Sequence, residues 1–256
     1  MHTAALAALG LEPDWSYEAI EVSQDEFEAR VQAMPGEGFV GANVTVPNKV
    51  AALALADEPS ATAVEIGAAN TLTFAEGEVL AENTDAAGFL DALPESPTGK
   101  EALVLGAGGS ARAVVWGLVA AGASVGIWNR TPERGEALAA ELGARALGAS
   151  PQEWGRTTQD FDLIVNCTTV GMGSAPERPD GFKSLPIDAD SLSVKHQLVD
   201  LAYGSAETEL ARVARARGTT VVDGLEVLVR QGAASLRIWT GMEPPIETMR
   251  RAARSA

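Results

Sequence analysis

The sequence predicts an α/β protein of two domains, with strands alternating with helices through most of its 256 residues. Three observations carry that prediction. Apolar stretches of strand length recur between helical stretches of ten residues or more, the pattern of a parallel, doubly wound sheet. A break with two prolines and a glycine, "LPESPTGK", divides the chain. Just after it, the apolar run "EALVLG" enters a glycine-rich turn and a helix.

The elements follow in order. A helix of small apolar residues runs from Thr3 to Leu9 and stops at Gly10. "YEAIEV" has strand character. In "SQDEFEARVQAM", Ser23 and Glu26 have the spacing of a capping box at a helix start. "GFVGANVTV" reads as a buried strand ending at Pro47, because proline removes a ladder donor and forces an extended residue before it. "NKVAALALAD" is a helix, and "AANTLTF" with "EVLAEN" form a hairpin around Glu76-Gly77. Beyond the break, the strands "EALVLG", "ASVGIW", "LIVNCT" and "HQLVDLAY" alternate with helices. The tail, from "GLEVLVRQGAASLRIWTG" onward, is helical. These readings place domains at residues 1–96 and 97–222, with C-terminal helices over 223–256.

Composition excludes several classes. With 46% hydrophobic and 21% charged residues, the chain is an ordinary globular protein. The single cysteine, Cys167, allows no internal disulfide and fits a reducing compartment, so a cytoplasmic location is expected. No basic cluster precedes an apolar core at the start, so a secretory signal is not expected there. Apolar runs are too short to cross a bilayer. The net charge of −16 opposes nucleic acid and anionic membranes as partners. An anionic ligand would need local basic residues to bind against that field.

Such residues stand beside the glycine turn. Gly106, Ala107, Gly108, Gly109, Ser110 and Ala111 form the G-x-G-x-x-A version of the dinucleotide fingerprint, between a strand and a helix as the motif requires. Gly106 permits the tight turn, Gly108 lets the backbone approach a pyrophosphate, and the helix start offers N–H groups and a positive dipole end. The motif predicts a Rossmann-type domain. An NAD-binding protein places a carboxylate about 20 residues further on for the ribose hydroxyl. Here Asn129, Arg130, Thr131 and Arg134 occupy that place. Guanidiniums suit a 2′-phosphate, which argues for NADP, although Thr131 is also a helix cap with surface arginines around it.

Three polar clusters interrupt the apolar text of the first half: Asn43 to Lys49, Asn70-Thr71, and Asn83-Thr84-Asp85. Each alone could be a cap or turn. Together they suggest a site for a small polyol. Lys49 is the candidate acid/base, since a lysine partly withdrawn from water can exchange protons in catalysis. Asp85 could accept a hydroxyl proton or orient the ammonium. The two histidines, His2 and His196, pair with no serine and carboxylate in a recognisable pattern, and no metal-ligand spacing of cysteine and histidine occurs.

The motifs "NVTVPNK", "IGAANT", "ENTDAAGF", "LVLGAGGSARA", "WNRTPER", "IVNCTTVGM" and "VDGLEVLVRQGA" resemble, in order and over essentially the whole chain, the shikimate dehydrogenase family. The resemblance implies a substrate domain, an NADP-binding Rossmann domain, and C-terminal helices that return to the first domain. It implies NADPH-dependent reduction of 3-dehydroshikimate to shikimate in aromatic amino-acid biosynthesis. Lys49 and Asp85 would be the catalytic pair. Thr45, Asn70, Asp85 and Gln231 would hold ring hydroxyls, with Tyr203 beside the substrate. Thr168, Leu201 and Gly224 would line the nicotinamide side. The expected partners are a small-molecule substrate and NADP, without nucleic acid or membrane, in a monomer or homodimer.

Two departures from the family pattern stand out. The prolines usual after the tyrosine are absent from "AYGSAETEL". Family members also begin with a strand and a Gly-x-Pro…His-Ser-x-Ser-Pro segment whose serines bind the substrate carboxylate. Met1 to Ala5 lines up with the end of that segment, so the strand and both serines are expected to lack counterparts in this sequence. The alternative expectation is therefore a truncated or non-catalytic paralogue that binds NADP(H) or a shikimate-like ligand without efficient turnover.

Overall fold

The computed structural model describes residues 1–172, 182–204 and 207–255. The chain forms two compact units, Met1–Phe89 with Leu228–Ala256, and Leu90–Val227.

The first unit opens with α1 (His2–Ala8) and α2 (Phe27–Ala33). It continues through β1 (Gly41–Asn43), α3 (Lys49–Ala54), β2 (Glu58–Pro59), α4 (Ala61–Ile66), β3 (Thr71–Ala75), β4 (Glu78–Glu82) and most of α5 (Asp85–Ala92), whose last three residues belong to the second unit. The sheet has the order β1-β3-β4-β2. Antiparallel β3 and β4 form the predicted hairpin, turning through Glu76 and Gly77 at φ values of 54° and 86°. Two consecutive positive φ angles match the strand twist of a tight hairpin, and the glycine relieves the strain at the second. Phe27, Val31, Val44, Ala52 and Leu72 form a core on this sheet.

The structure corrects three local readings. "YEAIEV" forms no strand: among the described residues, Ser16–Val22 takes part in no backbone–backbone hydrogen bond. A strand needs a neighbouring edge, and β1 lies across a cavity of about 840 Å³ lined by Tyr17, Ile20, Val22, Ala42, Asn43 and Thr45. "GFVGANVTV" keeps only Gly41–Asn43 as strand. After it the chain turns outward, leaving Val46 62% exposed, and the Asn48 amide donates to the Thr45 carbonyl at 2.9 Å. Helix α2 starts at Phe27 rather than at Ser23, because the Ser23 hydroxyl donates to the Glu26 carboxylate at 2.6 Å instead of capping the backbone.

The second unit holds β5 (Glu101–Leu105), α6 (Gly109–Ala120), β6 (Ser124–Trp128), α7 (Pro132–Leu142), β7 (Arg145–Ala146) and α8 (Pro151–Trp154). Then come β8 (Leu163–Asn166), β9 (Gln197–Asp200), α9 (Glu209–Ala216) and β10 (Thr220–Asp223). Its six strands lie in the order β10-β9-β8-β5-β6-β7, every pair parallel. Parallel strands covered on both faces read as continuous apolar runs, and β8 and β9 are buried at every position. The chain winds one way from β5 through β6 to β7, then crosses to β8 and winds the other way. That reversal is the topological switch point, where open α/β sheets bind ligands beyond the strands' carboxyl ends.

Helix α10 (Gly224–Thr240) begins in the second unit and ends in the first. Gly241 and the prolines 244 and 245 interrupt the tail before α11 (Ile246–Arg254), so it is not one continuous helix. Leu6 of α1, Val229 and Leu236 of α10, and Met249 of α11 form a second core in the first unit. Among the described residues, no helix is long and apolar enough to cross a membrane.

His2 locks α1 to α10. Its ring is 4% exposed and stacks on Tyr17 at 4.1 Å between centroids. Its Nε2 lies 3.1 Å from the Gly232 carbonyl, which only accepts, so Nε2 carries the proton and donates. Burial pushes the imidazole down to about 4, outweighing the opposite effect of that hydrogen bond. The unfolded chain therefore binds a proton near pH 6.5 that the folded chain refuses until about pH 4. Stability contributed by the neutral ring is present above pH 6.5 and falls with pH through that window, by about 3 kcal/mol. Urea unfolding at pH 7 and pH 4 should show that loss in the parent and a smaller one in His2→Gln.

Candidate active site

Three chain segments far apart in sequence meet at Asn70. Its Oδ1 accepts the Thr84 amide at 2.7 Å, which settles the orientation of the side chain, because a backbone N–H can only donate. The Nδ2 group must then face the other way. It donates to Asp85 Oδ1 at 2.9 Å and to Gln231 Oε1 at 3.0 Å, and lies 3.0 Å from Thr84 Oγ1. Gln231 is oriented in turn by donating to the Leu228 carbonyl at 3.0 Å. The Asn70 backbone is tied as well, its carbonyl accepting the Val44 amide and its amide donating to the Glu82 carbonyl.

Asp85 is the first residue of α5. Asn83 Oδ1 accepts the amides of Asp85 and Ala86, closing the helix start, and Asn83 Nδ2 donates to the Ala68 carbonyl at 2.8 Å. A carboxylate at this position sits at the positive end of the helix dipole. Lys49 is the first residue of α3, and its carbonyl accepts the Ala69 amide at 2.9 Å. The Lys49 ammonium donates to Asp85 Oδ2 at 2.6 Å, with side chains only 10% and 14% exposed. Asp85 thus receives Lys49 on one oxygen and Asn70 on the other. This is a short, mostly desolvated ion pair in a polar shell, able to hold or move a proton at Lys49 Nζ.

The three polar clusters, and with them Lys49, Asn70, Asp85 and Gln231, therefore belong to one unit. Thr45 is exposed, and its side chain makes no hydrogen bond among the described residues. Tyr203 lies in the second unit, 39% exposed. The proline-free loop noted in the sequence includes residues 205 and 206, which are outside the described residues.

The second unit supplies a cradle at its switch point. Gly106 follows β5 at φ +110°, and a Cβ there would come within 3.2 Å of the Cys167 backbone, so both strain and space demand glycine. At Gly108 a Cβ would meet nothing within 4 Å, leaving open room over the backbone. No side chain caps the start of α6. Gly109, Ser110 and Ala111 form its first turn, whose N–H groups point out of the helix start. Thr131 caps α7 by position, yet its side chain makes no capping bond. Asn129 holds the turn, donating to the Thr131 carbonyl at 2.8 Å. Arg130 and Arg134 are exposed and make no ion pair among the described residues. Two unengaged guanidiniums beside an uncapped helix suit a phosphate at the end of β6. On the other side of the cradle, the Leu201 amide donates to the Asn166 carbonyl at 2.9 Å, and Gly224 packs on the Leu201 carbonyl. Thr168 donates to Asn166 Oδ1 at 2.7 Å. Sequence reasoning missed Gly88, whose signal was a glycine inside an otherwise regular helix.

Family models for the shikimate dehydrogenase substrate binding domain, for shikimate / quinate 5-dehydrogenase and for the shikimate 5′-dehydrogenase C-terminal domain match residues 1–72, 91–172 and 224–254. The shikimate dehydrogenase (NADP(+)) of Methanocella arvoryzae is 43% identical over 100% of this chain and 93% of its own length. The structure of shikimate 5-dehydrogenase from Thermus thermophilus, in complex with NADP(H) and shikimate, is similar with a TM-score of 0.86. It is 41% identical and matches 99% of this chain and 92% of its own. Shikimate dehydrogenase from Aquifex aeolicus matches 99% of this chain and 91% of its own at 35% identity, with a TM-score of 0.88.

The Asn70 hub requires α5 and α10 to approach closely at Gly88, where a Cβ would fall 2.6 Å from the Gln231 amide nitrogen. Gly88→Ala should destabilise the chain by about 1–3 kcal/mol through overpacking, measured by urea unfolding.

Proposed function

The chain belongs to the shikimate dehydrogenase family, and on that premise we propose that it reduces 3-dehydroshikimate to shikimate with NADPH, reversibly. The observation that carries the reading is the Lys49–Asp85 pair at 2.6 Å, held in register by Asn70. Bound NADPH supplies the hydride. As hydride reaches the ketone carbon, negative charge develops on the ketone oxygen. The Lys49 ammonium stabilises that charge and passes a proton to the oxygen, giving the hydroxyl. Asp85 keeps the ammonium aimed and accepts a substrate hydroxyl. Asn70 and Gln231, already oriented by the backbone, hold ring hydroxyls, and Thr45 adds an exposed hydroxyl nearby. In reverse, neutral Lys49 takes the hydroxyl proton as hydride leaves.

Gly106 to Ala111 would hold the pyrophosphate, and Arg130 and Arg134 the 2′-phosphate, with Asn129 and Thr131 shaping the turn. Thr168, Leu201 and Gly224 would flank the nicotinamide. The lone cysteine suits work in the reducing cytoplasm.

Following NADPH absorbance with 3-dehydroshikimate tests the reading. The parent should turn over, and Lys49→Ala should lose about 10²–10⁴-fold in kcat. An active Lys49→Ala would remove Lys49 as the acid/base, whereas NADPH binding without turnover in the parent would favour a binding protein. Arg130→Ala should raise the KM for NADPH about tenfold, the value of a lost charge-assisted contact, and leave that for NADH nearly unchanged. Equal changes for both cofactors would refute the 2′-phosphate contact.

A further inference from the structure

Asp200 is a buried acid that the chemistry above does not use. It ends β9, is 1% exposed, and pairs with no cation among the described residues. Burial pushes its carboxyl up, and hydrogen bonds from Thr208, Asn166 and Ala202 oppose that rise. A lone buried carboxyl is costly, so what it holds in place is worth asking.

The register of the parallel sheet sets Asp200 beside Asn166, the last residue of β8 and itself fully buried. Asn166 Nδ2 donates to Asp200 Oδ1 at 2.8 Å and to the Val170 carbonyl at 3.2 Å. Its Oδ1 accepts the Thr168 amide at 3.1 Å and the Thr168 hydroxyl at 2.7 Å. The amide is therefore fully engaged: one donor holds Asp200, and its remaining bonds shape one turn, residues 167–170. Asp200 also accepts from the Ala202 amide at 3.2 Å and from the Thr208 hydroxyl. Thr208 Oγ1 already accepts the Ala211 amide at 3.1 Å as the cap of α9, so its proton is directed to Asp200. Gly171 at φ +88° closes the turn against Thr208, 3.2 Å from its methyl group to a Cβ position.

What this turn touches gives the cluster its meaning. The Cys167 backbone and the Thr168 methyl lie 3.2 and 3.4 Å from the Cβ position of Gly106, the first glycine of the cofactor fingerprint. The Asp200 carbonyl lies 3.0 Å from that of Gly224. We propose that Asn166, Asp200 and Thr208 are positioning residues for the nicotinamide cofactor. They act through the Cys167–Thr168 turn, which they hold against the first glycine of the loop, and through Leu201, whose carbonyl packs on Gly224. Three donors converge on the Asp200 carboxyl oxygens, so an amide at this place turns an NH2 group toward donors and frees the turn.

The proposal rests on the cofactor reading above, and its test separates the two. NADPH affinity of the full chain would be measured by fluorescence titration, alongside KM and kcat for both substrates and the melting temperature. Asp200→Asn and Asn166→Ala should each weaken NADPH binding about tenfold, the scale of one hydrogen bond to a charged group. The KM for 3-dehydroshikimate should stay within about twofold, a split that general destabilisation does not produce. Thr208→Ser, which keeps both hydrogen bonds, should match the parent. If the first two variants do not fold, Thr208→Val against Thr208→Ser makes the same comparison. Equal loss for both substrates, or a lower melting temperature with NADPH affinity unchanged, overturns the proposal. A parent that binds no NADPH overturns the cofactor reading and this inference with it.

Discussion

The orientation of one amide governs the first unit. Asn70 is 2% exposed and must offer its oxygen to the Thr84 N–H, so its nitrogen has to face Asp85 and Gln231. A flipped amide would leave a buried backbone donor unpaired and set its own NH2 against it, a cost of about 1–3 kcal/mol for the lost pairing alone. The same residue carries the backbone bonds that join the end of β1 to β3 and β3 to β4. Sheet register and site geometry are thus one constraint, and the carboxylate that aims Lys49 cannot move without breaking the sheet's end.

The second unit solves a different problem with similar means. Its strands must stop together at the switch point and leave backbone exposed to an anion. Gly106 and Gly108 keep the path clear of side chains, while Asn166 and Asp200 close the neighbouring strand ends with buried hydrogen bonds. Electrostatics follows the same division. The chain carries a net charge of −16, yet the end of β6 presents Arg130 and Arg134 without carboxylate partners among the described residues. Other arginines, such as Arg30 with Glu37 and Arg215 with Glu207, are paired. Local potential within a Debye length can oppose the global field, which is how an acidic protein binds an anionic cofactor.

Much of this was legible in the text because short-range rules determine it. Strands β5 and β8 are apolar at every position but one, the signature of strands covered on both faces, and the glycine fingerprint needs only the strand and helix that flank it. The Glu76-Gly77 hairpin follows from turn chemistry. The catalytic candidates Lys49 and Asp85 were visible as polar residues in apolar surroundings. Ser23 and Glu26 show the limit of such rules: the capping spacing is present, but their side chains satisfy each other and the helix waits for Phe27, the first residue the core can bury. "YEAIEV" shows it again, since alternation makes a strand only where an edge is there to pair with it.

By itself, the sequence determined the two-domain α/β class, and it located the glycine-rich turn with its neighbouring arginines and the candidate acid/base residues. Those are properties of neighbours in the chain, expressed through periodicity, glycine conformations and side-chain chemistry. Tertiary structure alone decided that Lys49 meets Asp85, 36 residues away, and that Asn70 meets Gln231, 161 away. It also made Gly88 a contact point and Asp200 a buried hub. The reason is that long-range pairing depends on sheet order and helix packing, where a single Cβ or amide orientation selects among arrangements that local patterns leave equal.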